Sequence, residues 1–245
     1  MSPMPPAAQL DTPAAQRWLR ASGLLVPVLF FVSDAFAPNP PVHGGTDAAL
    51  LAFYRDHHAG ILTGVFAGAL AMVALLSFSV AVVEAAAAAR RAAGRSPVAS
   101  GVVGVFAGVA GAMMMASQAA TGATAVIGAH ATDAGVVRGL DEIAHMLAHI
   151  AMLPLGILVL AMGLTLTTAR AGARAVAVAG AVAGGALALT SSWVFVGGSS
   201  LHNLGVLAFF ATFLWCVVQS VVLVRAGRPA RLRDPLTAPT APVPA

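Results

Sequence analysis

The densest set of reactive side chains in the sequence is Glu142, His145 and His149, spaced i, i+3, i+7, with Asp141 four residues before His145. On a helix these positions share one face. At about 1.5 Å of rise per residue, His149 lies about 10 Å deeper along the axis than Glu142. Two imidazoles and a carboxylate on one face are adequate ligands for zinc or another borderline divalent metal, or for haem. His202, His130 or Asp34 would complete the shell. The spacing is not the HExxH of a metalloprotease. A plainer reading gives His145 and His149 to interhelical hydrogen bonds with Ser, Thr or backbone groups. A third gives them a proton-transfer role, because an imidazole in hydrocarbon needs a partner or a use.

The elements that position these residues are apolar helices. Of 245 residues, 59% are hydrophobic and 9% charged, against roughly 25% charged in a soluble domain. The mean hydropathy is +0.88. So few charges cannot build a water-facing surface, but they suit a lipid-facing one. The net charge of +4 comes from arginine alone, since the sequence has no lysine. That excludes a lysine Schiff base and a Walker A phosphate loop. The arginines fall at helix ends rather than on one patch, which argues against nucleic acid. One cysteine, Cys216, excludes an intramolecular disulfide.

The apolar runs predict an all-α fold, one transmembrane bundle of six helices over residues 17–225. Proline-rich tails flank it at 1–16 and 226–245. The first span runs from Ala21 to about Phe36. A short helix at 47–56 is predicted to lie on the membrane surface through Leu50, Leu51, Phe53 and Tyr54. The remaining spans are expected at about 59–83, 98–129, 143–168, 175–196 and 201–224. Pro154 falls inside the fourth and should kink it. With both termini in the cytoplasm, only Arg55 and Arg138 fall outside, which is the positive-inside pattern. All seven histidines then map to the outer loops or the outer halves of helices.

Small residues predict the helix contacts. Gly64 and Gly68 form one pair, Gly104, Gly108 and Gly111 one face of the third span, and Gly180 and Gly184 one face of the fifth. Such positions let backbones approach closely in lipid.

The stretch DAALLAFYRDHHAGILTGVFAGALAMVALLSFS, Asp47 to Ser79, resembles the loop and second helix of uncharacterised actinobacterial integral membrane proteins. LPLGILVLAMG, Leu153 to Gly163, is similar to their fourth helix. The resemblance implies a six-helix bundle of a domain of unknown function and transfers no catalytic residue.

The expectation is a multi-pass protein of the cell membrane whose partner is the lipid bilayer, with homo-oligomers left open. Two functions fit. One is a non-enzymatic small-ligand binding, transport or sensory module. The other is a membrane-embedded metal or haem enzyme centred on Glu142, His145 and His149, open to the outer face.

Overall fold

The computed structural model describes residues 13–38, 40–41, 45–94, 100–169, 173–191 and 199–226. Among the described residues every regular element is helical. The two tails read from the sequence fall mostly at 1–12 and 227–245, outside the described residues.

The first span is built from α1, Pro13–Ala21, one tighter turn at Ser22–Leu24, and α2, Leu25–Phe36. Pro27 explains the break. It has no amide to donate to the carbonyl four residues earlier, Gly23, so the preceding turn tightens to i→i+3 bonding. The Leu25 amide accordingly donates to Ser22 O.

Five long helices follow: α3, Asp47–Ala92; α4, Ser100–His130; α5, Ala134–Ala169; α6, Arg174–Thr190; and α7, Ser199–Ala226. The span from Pro13 to Phe36 and helices α3, α4, α5 and α7 are long and apolar enough to cross a bilayer; α6, at 17 residues, is apolar but shorter. Each helix packs on its neighbour in sequence, and α7 returns to pack on α1 and α2. The helices thus close a ring, with α3 and α5 also touching across its middle. Large apolar side chains cover the outside, including Phe66, Val105, Val182, Leu189, Leu207 and Leu214. An outer surface of this kind belongs in lipid. The architecture is that of a transmembrane helical bundle.

One end of the bundle collects arginine: Arg17 and Arg20 near the start of the chain, Arg90 and Arg91 ending α3, Arg174 opening α6 and Arg225 closing α7. The opposite end carries His57, His58, His130, His145 and His149. There α3 departs from expectation. It is one continuous helix of 46 residues, about 69 Å long at about 1.5 Å per residue, against a hydrocarbon core of roughly 30 Å. Thr46 caps it, accepting from the Ala49 amide at 3.2 Å. The segment predicted to lie flat on the membrane is instead its first turns. Leu50 and Tyr54 are buried in a second small core with Ile61, Ala125, Ala134 and Val137. α5 likewise begins nine residues earlier than its apolar run, and Arg138 donates to Asp47 Oδ1 at 2.9 Å. Protein, not lipid, receives that amphipathic face.

The glycines divide. Gly64 abuts Ser33 O and Ala37, Gly68 abuts the Gln118 amide, Gly111 abuts Leu76, and Gly180 abuts Trp215. Gly184 abuts the α5 backbone at Val159 and Gly156. Gly104 and Gly108 do not follow: a Cβ added at either would meet nothing within 4 Å. They face away from this bundle, since α4 turns Val103, Ala110 and Met114 inward instead. The close backbone-to-backbone approach of α5 and α6 also uses Gly156 and Gly163, whose i, i+7 spacing is not the GxxxG pattern.

Candidate functional site

Near the histidine-bearing end, α2, α5, α6 and α7 form a partly open cavity of about 300 Å³, with Asp34, Phe31 and Phe210 exposed at its rim. α2 contributes Phe30, Phe31 and Asp34; α5 contributes Ala148, His149 and Met152. α6 and its C-cap contribute Leu187, Thr190 and Ser191, and α7 contributes Gly205, Val206, Phe209, Phe210 and Phe213. Helix geometry explains the assembly. Asp34 follows Phe30 and Phe31 by four and three residues, so all three occupy one side of α2. Phe209 and Phe213 are one turn apart on α7, and the two helices run antiparallel. Phe30 therefore meets Phe209 edge-on at 4.9 Å between centroids and Phe213 at 5.0 Å, while Phe31 stacks with Phe210 at 6.1 Å.

Three of the four polar side chains on the wall are engaged with their own helices. Thr190 Oγ1 donates to Ala186 O at 2.7 Å, and Ser191 Oγ donates to Ala188 O at 2.6 Å. His149 Nδ1 lies 2.8 Å from His145 O. A carbonyl can only accept, so Nδ1 carries the hydrogen. Asp34 forms no hydrogen bond or ion pair among the described residues. It stands in the last turn of α2, where the helix dipole gives it no support.

The sequence-predicted residues are thus partly gathered. Asp34 and His149 share the cavity. His145 is the next turn of α5, its ring 4.3 Å from that of His149 between centroids, but it is exposed and off the cavity wall. Glu142 is also exposed and off the wall, and His130 sits exposed at the end of α4. The His202 side chain lies outside the described residues. No three His, Cys, Asp or Glu side chains among the described residues are grouped to hold a metal ion. Asp141, one turn before His145, instead accepts from the Tyr54 hydroxyl at 2.6 Å. Burial first, and then Asp141, push the Tyr54 hydroxyl well above its ordinary range.

The aromatic part of the wall was not read from the sequence. The signal is there: five of the eleven phenylalanines stand at Phe30, Phe31, Phe209, Phe210 and Phe213, clustered on the first and last helices. Thr190 and Ser191 carried no signal, being ordinary helix-end residues.

In comparisons with family models, with curated proteins and with solved structures, none matched the chain.

Proposed function

We propose that this chain is a multi-pass membrane protein that binds a small ligand in the cavity between α2, α5, α6 and α7. The carrying observation is the cavity itself. About 300 Å³ is left unfilled between these four helices, and two ionisable side chains on different helices, Asp34 and His149, are among its lining residues. Ligand pockets are concave, mostly apolar, and fixed by a few polar groups. This one stands at the small end of their usual range of about 300–1,000 Å³. His149 is half-buried inside α5, and an ionisable group inside a membrane helix is costly enough to suggest a use. The arginine asymmetry supports an orientation with the cavity toward the outer face and both termini in the cytoplasm.

The test compares wild type with Ala148→Trp, which fills the cavity from α5. Small molecules extracted from both purified proteins are compared by mass spectrometry, with elemental and visible-absorption analysis alongside. The expected result is a compound retained by wild type and lost from the filled variant. Identical extracts, together with no ligand-induced thermal shift in wild type, would remove the proposal. A metal or haem retained at one equivalent would shift it to the metal-centred reading.

A further inference from the structure

We propose that the cavity selects an organic cation, an ammonium or quaternary ammonium group on a small apolar body; this rests on the ligand-binding reading above. The argument concerns which half of a hydrogen bond the wall can offer. Four polar side chains among the described residues line the cavity: Asp34, His149, Thr190 and Ser191. The Thr190 and Ser191 hydroxyl hydrogens are directed to Ala186 O and Ala188 O of α6. Only oxygen lone pairs remain for a ligand. The Nδ1 hydrogen of His149 is directed to His145 O, so the neutral ring offers the cavity no donor from that nitrogen. Asp34 as a carboxylate only accepts. The few polar groups on this mainly apolar wall therefore offer lone pairs rather than donors.

Three further features have the same sign. Phenyl rings attract cations through the negative faces of their π systems, and five line this cavity. The C-terminal ends of two helices border it: Asp34 is in the last turn of α2, and Leu187 and Thr190 are in the last turn of α6. Helix C-termini carry partial negative charge that acts within about the last turn. The opposing N-terminus of α7 begins at Ser199, more than a turn before Gly205, its first lining residue. An anion would meet Asp34 and both helix ends. A ligand with only carbonyl acceptors would leave acceptors facing acceptors without hydrogen. An ammonium N–H satisfies these lone pairs, and a quaternary ammonium, which has no N–H, meets the wall through charge alone; either supplies Asp34 with a countercharge.

The probe is benzyltrimethylammonium, and its control is neopentylbenzene, the same shape with carbon in place of the charged nitrogen. Binding of each is measured by titration calorimetry in detergent. Ala148→Trp, or Gly205→Leu if that variant fails to fold, serves as the blank for micelle partitioning. The cation should bind wild type at least about tenfold more tightly than its isostere, and Asp34→Asn should erase about tenfold of that affinity while leaving the isostere unchanged. Equal binding of the two probes, or a cation affinity untouched by Asp34→Asn, would overturn the cation assignment and leave the ligand pocket standing. No binding of either probe above the blank would overturn both.

Discussion

Replacing Gly184 by alanine should destabilise the bundle, whereas the same change at Gly108 should not. At Gly184 a new Cβ would stand 2.7 Å from Gly156 O and 2.8 Å from Val159 C, and would also abut the Leu160 amide nitrogen. All three atoms are backbone, so no side chain can swing aside. Ordinary contact begins near 3.4 Å, and α5 and α6 must separate along their length to restore it. Overpacking of this kind costs about 1–3 kcal/mol. The gain in helix propensity on replacing glycine, about 1 kcal/mol at most, offsets part of that. The net expectation is a loss of up to about 2 kcal/mol. Gly108 has nothing within 4 Å of the added atom, so only the propensity term remains and the variant should be neutral or slightly more stable. Thermal unfolding in a fixed detergent, followed by helical circular dichroism, measures both. Equal destabilisation by the two variants would refute the reasoning, because it would mean Gly108 is as tightly covered as Gly184.

Tyr54→Phe should cost about 1.5–3 kcal/mol, the range for a hydrogen bond to a charged group, and pairing it with Asp141→Asn in a double-mutant cycle isolates the term. Tyr54 is also the only tyrosine, so tyrosinate absorbance reports it alone. Its hydroxyl is held above the ordinary value of 10.0, and the folded state therefore binds that proton more tightly than the unfolded state. This contribution is whole below pH 10 and falls as pH rises above it; a stability curve that is flat there, or that matches Tyr54→Phe, would count against the buried pair. Cysteines placed at Thr132 and at Ala93 should be labelled from opposite sides of the membrane, Thr132 from outside. The reverse pattern would invert the orientation drawn from the arginines.

Much of the fold was legible because lipid leaves a chain few choices. A backbone in hydrocarbon must bond to itself, so long apolar runs become helices whatever else they contain. What the runs do not state is what covers each face. Leu50 and Tyr54 have the spacing of a membrane-surface helix, but the partner of Tyr54 on α5, Asp141, is 87 residues away, and periodicity cannot separate a lipid surface from a protein one. The glycines fail for the same reason. Gly104 and Gly108 show the pattern of a helix contact and meet open space, while Gly156 and Gly163, seven apart, meet the α6 backbone.

The candidate site divides along the same line. Asp34 and His149 stood out because polar groups are expensive in lipid, and cost is a property each residue carries alone. Thr190, Ser191 and the phenylalanines did not stand out, because their meaning lies in direction. A threonine hydroxyl bonded back to its own helix is usually a way to hide a polar group, and most of the buried hydroxyls here do so, as at Ser79 and Thr212. At Thr190 and Ser191 the same bond has a second consequence, because the oxygen borders a cavity rather than packed side chains. Hiding the donor leaves the lone pairs on the wall. The sign of the cavity thus follows from an ordinary economy of helices in lipid, placed where two of them end beside a carboxylate.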